Sequence, residues 1–103
     1  MVNENVLYGT KVIWAEKQSF TLNYYVTRVQ VGNKMIFGIS IKKLHNERIL
    51  EKETVANISD RYETVREIVN MLIEHAVTPV SMVNILDDVT EDIGDTGILS
   101  RAC

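Results

Sequence analysis

The sequence has few of the residues on which disulfide-rich, collagen-like or linker-rich proteins depend. Among its 103 residues are one cysteine, one proline and five glycines. A single thiol, Cys103, cannot form an internal disulfide framework, which excludes the small disulfide-stapled secreted domains and favours a reducing compartment. The low proline and glycine content excludes collagen-like and low-complexity chains, and no repeat of fixed period is present.

Long hydrophobic runs are also missing. No stretch of about 18 consecutive apolar residues occurs, so the sequence predicts no membrane-spanning segment. Residues 1–5 lack the basic and then apolar layout of a secretory signal. With the single cysteine, these absences predict a cytoplasmic protein that makes no membrane contact.

What is present is the composition of one globular domain, residues 1–103. Hydrophobic residues make up 46% of the chain and charged residues 24%, which suffices for a single core. The net charge of −3 is unevenly distributed along the sequence. Residues 1–45 contain six basic and two acidic residues, whereas residues 46–103 contain five basic and twelve acidic ones. This uneven distribution of charge is a hint about the partners of the protein.

The first half of the chain predicts four strands, within about residues 6–56. Apolar and β-branched residues alternate there, and turn-forming residues separate them at 16–19, 32–33 and 45–47. Gly32-Asn33 suits a two-residue hairpin loop, because such loops need positive φ. The charged middle of the fourth strand, residues 51–53, is typical of a sheet edge.

The alternation also predicts which side chains share a face. In the first strand, Tyr8 is expected beside Val12 and Trp14, with Leu7 on the opposite face. In the second strand, the apolar set changes face at Val29, which predicts a bulge near residues 27–28.

The second half changes to the helical period. A helix is expected over about residues 60–76, where Asp60 and Glu63 are spaced as a capping box. Thr78-Pro79 then predicts the start of a second helix over about 79–93, followed by a tail, 94–103. The two apolar stripes consist of Val65, Ile68, Val69, Leu72, Ile73 and Ala76, and of Met82, Ile85, Leu86, Val89 and Ile93. The predicted fold is α+β, a four-stranded antiparallel meander sheet with both C-terminal helices packed on one face.

Five segments carry more than their periodic pattern: 24–27, 37–41, 55–59, 77–80 and 85–88. Together they resemble a family of small bacterial cytoplasmic proteins that is classed as a domain of unknown function. The likeness spans most of residues 20–93, and its most specific part is the Val-Thr-Pro turn followed by an apolar and acidic helix. The resemblance implies a compact single-domain protein, and it implies no activity, cofactor or catalytic residue.

The side chains that could carry chemistry do not form a known motif. His45 and His75 could join Cys103 at a metal, but no metal-ligand spacing supports this. His45 is better explained as a turn residue, and His75 as a residue near a helix C-terminus. Ser40 lacks the second glycine of a nucleophile elbow, and no glycine-rich phosphate loop can be written. We therefore expect no enzyme: no catalytic residue, no cofactor site and no metal site.

An acidic cluster on the second helix is the one feature that opposes folding. Asp87, Asp88, Glu91 and Asp92 repel one another at i,i+4 spacing and oppose the helix dipole at its C-terminal end. A calcium loop does not fit, because Ile93 stands where glycine is needed. Either Lys42 and Lys43 compensate these charges within the fold, or a basic partner protein does. The four acids are thus the predicted partner-binding residues.

The predicted function is a non-enzymatic protein-interaction or regulatory module, which presents a sheet edge or its acidic second helix to an unidentified protein partner. A homodimer through the fourth strand is a further possibility. One alternative is a small-molecule-binding domain with a pocket between sheet and helices, and another is an acidic inhibitor of a nucleic-acid-binding enzyme. Direct binding of nucleic acid would use a stacking, basic sheet face formed by Trp14, Tyr25, Lys11, Arg28 and Lys42. The negative net charge and the lack of an RNA-recognition signature disfavour it.

Overall fold

The fold is that of a computed structural model, which describes the backbone of residues 3–93 and the side chains of residues 4–87. Four strands form one antiparallel sheet in chain order, so that β1 and β4 are its edges. Two helices follow and contact the sheet. The elements are β1 (Asn3–Ala15), β2 (Gln18–Val31), β3 (Lys34–His45), β4 (Arg48–Ser59), α1 (Tyr62–Glu74) and α2 (Pro79–Ile93). The predicted α+β fold is confirmed, as is the edge position of the fourth strand.

Tight turns connect the strands. Gly32 has a φ of +61° and, with Asn33, links Val31 to Lys34, which confirms the predicted hairpin. The other two turns are shorter than predicted. Each has two non-glycine residues with φ between +53° and +68°, the turn conformation that matches strand twist. They are Glu16-Lys17 and Asn46-Glu47.

The core lies between one face of the sheet and the two helices. Its sheet side consists of Leu22, Tyr24, Val26, Ile39, Ile41 and Ile58, all buried. Its helix side consists of Val65, Ile68, Val69, Leu72, Met82 and Leu86, all buried. Burying one such side chain stabilises the fold by about 1.5–3 kcal/mol. The apolar stripe is confirmed for α1 and for the described part of α2, whereas the side chains of Val89 and Ile93 lie outside the described residues.

A bulge in β1 overturns two predictions from the alternation. β2 pairs with β3 without interruption from Thr21 to Val31, so the bulge expected near residues 27–28 is wrong. The register instead shifts between Leu7 and Gly9, which makes Tyr8 the extra residue in β1. Tyr8 therefore turns toward the helix side, and Leu7 pairs with Tyr25 on the other face. The change of face at Val29 has a simpler cause. The face of β2 that points away from the helices is itself apolar at that end of the strand.

The predicted capping box is also wrong. β4 continues to Ser59, so α1 begins later than expected, at Tyr62. Arg61 is the N-cap residue and makes no side-chain cap hydrogen bond. Ser59 Oγ accepts a hydrogen bond of 3.0 Å from the Arg61 amide. The predicted tail, 94–103, with Ile98, Leu99 and Cys103, lies outside the described residues.

A lysine from β1 binds the C-terminal end of α1. The last turn of this helix contains no basic residue. Lys11 Nζ donates to the carbonyl oxygens of Ile73 and Glu74 at 3.0 and 3.1 Å. A cation there satisfies free carbonyl groups and interacts favourably with the helix dipole.

We expect Lys11→Met to lower the free energy of unfolding by about 1 kcal/mol, because the two carbonyl groups lose their charged donor. Urea denaturation followed by circular dichroism measures the change. Lys34→Met is the matched control, since Lys34 is exposed, and its effect should stay within about 0.5 kcal/mol. Equal effects of the two substitutions would contradict the capping role of Lys11.

Candidate functional site

The candidate site is the face of the sheet that points away from the helices, here called the open face. Residues directly opposite each other in an antiparallel pair project to the same side, so the strand registers define rows across this face, three of which reach all four strands. These rows are Val12, Thr21, Leu44 and Ile49; then Thr10, Asn23, Lys42 and Lys52; then Leu7, Tyr25, Ser40 and Thr54. Trp14 lies beyond the first row, opposite Ser19.

Apolar side chains on the open face are largely solvent-exposed. Trp14 is 74% exposed, and Leu7, Val12 and Ile49 are each 54–55% exposed. Three of these four lie at the same end of the sheet, next to the β1–β2 and β3–β4 turns. A cluster of exposed apolar residues of this kind marks an interaction surface more often than isolated ones do, and tryptophan is among the residues that contribute most to binding.

The charges on the open face are all positive. Lys42 stands directly opposite Lys52, an arrangement that destabilises a strand pair. Lys42 Nζ lies 4.9 Å from the centroid of the Tyr25 ring, which partly offsets this cost. Among the described residues, no aspartate or glutamate projects from the three rows, and no ion pair includes either lysine. The face therefore combines apolar area with uncompensated positive charge.

The polar side chains in the middle of the open face bind one another. The Ser40 and Thr54 hydroxyl groups are 2.9 Å apart, and Ser40 Oγ also lies 3.3 Å from the Glu53 carbonyl oxygen. Thr10 Oγ1 donates to Asn23 Oδ1 at 3.0 Å. Ser40 is 1% exposed, and its partners are a hydroxyl group and a backbone carbonyl group. These contacts hold neighbouring strands together.

The residues expected to form a basic, stacking face are divided between the two sides of the sheet. Trp14, Tyr25 and Lys42 lie on the open face. Lys11 instead binds the end of α1, and Arg28 pairs with Glu4 on the helix side. The prediction that these five residues form a single surface is therefore wrong, because β-strand alternation places Lys11 and Arg28 on the face that α1 covers.

The two histidines occupy separate structural positions. His45 Nδ1 lies 3.1 Å from the Ser19 carbonyl oxygen, and its ring centroid is 5.2 Å from that of Phe20. His75 is exposed and is the C-cap residue of α1, as its position near the end of the helical pattern predicts. In the part of the chain that the structure describes, no group of three or more His, Cys, Asp or Glu side chains could hold a metal ion.

The acidic residues proposed as a partner site lie on α2, where the sequence places them. Asp87 is half-buried, and the side chains of Asp88, Glu91 and Asp92 lie outside the described residues. The two lysines expected to compensate them have other neighbours. Lys42 lies over Tyr25 on the open face, and Lys43 Nζ is 3.8 Å from Glu51 Oε2 and 4.7 Å from the Phe20 ring centroid.

A pocket between the sheet and the start of α1 forms a second candidate site. Its volume is about 160 Å³. Its walls consist of Val6, Tyr8, Val26, Arg28, Phe37 and Tyr62. The β1 bulge, which turns Tyr8 toward the helix side, helps to form it.

A family model for a family of unknown function, DUF6514, matches residues 3–92. The chain belongs to this family, which confirms the resemblance to a domain of unknown function. No curated protein and no solved structure matches the chain. Among the described residues, no helix has the length and apolar character needed to cross a membrane.

Proposed function

We propose that the protein is a non-enzymatic binding module that holds an acidic and apolar segment of a partner protein on its open face. The observation that carries this proposal is the combination of Trp14, exposed at 74%, with the facing pair Lys42 and Lys52. Apolar contacts to Trp14 and its neighbours would supply affinity, while carboxylates of the partner would relieve the repulsion between the two lysines.

A protein partner fits this face better than a nucleic acid does. Single-strand binders combine a basic groove with aromatic platforms on which bases stack. Here Lys42 already covers the Tyr25 ring, and most of the exposed apolar area is aliphatic, from Leu7, Val12 and Ile49. The net charge of −3 also disfavours attraction of a polyanion over long distances.

The charge pattern also disfavours a dimer in which two open faces meet, because that arrangement would bring four lysines together without a carboxylate. The homodimer predicted through the fourth strand would use the edge of β4 instead, where Glu51, Lys52 and Glu53 interrupt the apolar pattern. The acidic residues Asp87, Asp88, Glu91 and Asp92 remain a second predicted partner surface. A protein that contacts them would be basic, and so would differ from the partner of the open face.

Reversing the charge of the two facing lysines tests the proposal. We expect Lys42→Glu with Lys52→Glu to abolish capture of the partner from the native cell, and to weaken binding of the purified partner at least tenfold, about 1.4 kcal/mol. The matched control is Arg61→Glu with Arg66→Glu, which changes the net charge equally on exposed residues of the helix layer. The control should bind like the original protein.

Trp14 reports on the binding directly, because it is the one tryptophan of the chain and is 74% exposed. We expect its fluorescence to shift to shorter wavelength when the purified partner covers the open face. Capture that is equal for both double variants, or that is lost on nuclease treatment, would contradict the proposal. Light scattering of the protein alone determines whether it is a monomer or a dimer.

A further inference from the structure

We propose that the pocket at the start of α1 is a binding site for a small aromatic carboxylate, a ligand with one ring and one carboxylate group. This site lies on the helix side of the sheet, and it is separate from the open face. The inference is independent of the proposed partner binding. It gives a location and a ligand class to the alternative in which the protein is a small-molecule-binding domain.

The volume of the pocket limits the ligand to one ring. At about 160 Å³ it is close to the ~150 Å³ of an engineered protein cavity that accepts benzene. Pockets for drug-sized molecules are larger, about 300–1,000 Å³. The pocket is thus too small for a nucleotide or a dinucleotide cofactor, and it suits a molecule of roughly ten non-hydrogen atoms.

The walls favour an aromatic ring. Val6 and Val26 form the aliphatic part, and Tyr8, Phe37 and Tyr62 contribute three aromatic rings. The Phe37 and Tyr62 rings are already in edge-to-face contact, with centroids 5.6 Å apart and an interplanar angle of 69°. A further ring between these walls would gain both apolar burial and aromatic contacts.

Arg28 determines the charge of the ligand, because it is the one charged residue among those that line the pocket. Its guanidinium group can donate five hydrogen bonds, and its described contacts use one, from Nη2 to Glu4 Oε1. The Arg28 and Glu4 side chains are 44% and 43% exposed, and an ion pair this exposed contributes little to stability. A ligand carboxylate can therefore share the Arg28 guanidinium group with Glu4 or replace Glu4 there, and it would accept two parallel hydrogen bonds.

Benzoate is the probe, added to the full chain and followed by amide chemical shifts. We expect saturable shifts around Tyr8, Phe37 and Tyr62, with a dissociation constant of the order of 1 mM or lower. Benzyl alcohol, which has the ring without the charge, and acetate, which has the charge without the ring, should each bind at least tenfold more weakly. The indole signal of Trp14 should not change, because Trp14 lies on the open face.

Two substitutions test the role of Arg28. Arg28→Gln should weaken benzoate binding at least tenfold and leave benzyl alcohol unaffected, whereas Glu4→Gln should tighten benzoate binding severalfold by freeing the guanidinium. Arg66→Gln, an exposed change on α1, is the control. If Arg28→Gln fails to fold, Glu4→Gln still decides the question. Absence of saturable benzoate binding, equal affinity for benzyl alcohol, or unchanged affinity in Glu4→Gln would each overturn the proposal.

Discussion

Substitution of Gly38 by valine is expected to lower the free energy of unfolding by about 4 kcal/mol, a large fraction of the stability of a small domain. A Cβ atom on Gly38 would lie 2.2 Å from the Val55 carbonyl oxygen and 2.6 Å from Ala56 Cα. These are backbone atoms of β4, at the point where its register against β3 shifts between Phe37 and Ile39. They cannot move away without breaking the strand pairing. Urea denaturation followed by circular dichroism measures the loss.

Gly32→Ala is the matched control for this prediction. No atom lies within 4 Å of a Cβ built at Gly32, so only its φ of +61° opposes a side chain there. The expected cost is about 1 kcal/mol. If Gly38→Val cost no more than Gly32→Ala, the close approach of β4 to β3 would be wrong.

Tyr24 is the second position where a large effect is expected. Its side chain is fully buried in the core, and its hydroxyl group donates a hydrogen bond of 2.8 Å to the Val77 carbonyl oxygen, between the two helices. We expect Tyr24→Ala to cost about 4 kcal/mol, and Tyr24→Phe, which removes the hydroxyl group alone, about 1.5 kcal/mol. Denaturant titration measures both. A cost for Tyr24→Phe near zero would mean that the hydrogen bond does not help to fix the helix connection.

The same residue makes stability depend on pH in the alkaline range. Burial raises the pKa of Tyr24 to about 12 from its ordinary value of 10.0. The fold therefore favours the protonated phenol, and this contribution is complete below pH 10 and is lost as the pH rises to 12. The loss approaches 2–3 kcal/mol, at about 1.4 kcal/mol for each pKa unit. Tyr24→Phe should lack this loss, so its deficit of about 1.5 kcal/mol should shrink above pH 10 and change sign as the pH approaches 12.

Periodicity was sufficient to predict the elements and the core. The alternation of Leu22, Tyr24 and Val26 and the stripe through Val65 and Leu72 reflect burial on one face, a property that each segment carries in its own sequence. For the same reason, the predicted bounds of α2 agree with the structure.

The features that the sequence did not predict depend on how separate segments pair with one another. The bulge at Tyr8 is a mismatch between β1 and β2, and the position of the α1 cap depends on how far β4 continues to pair. Both candidate sites likewise depend on strand pairing. Lys42 and Lys52 face each other only in the observed β3–β4 register, and the pocket forms only when the bulge turns Tyr8 inward. The two lysines lie ten positions apart in the sequence, so no local motif marks them.

The chain-order arrangement of the strands has a consequence for how the protein folds. Every strand pairs with its immediate neighbour in the chain, and no pairing requires a strand that is distant in sequence. The sheet can thus assemble as three successive hairpins, each of which closes a short loop at low entropic cost. Proteins dominated by such local pairings fold faster than sandwiches or barrels with long-range strand contacts, and they expose unpaired edges for a shorter time.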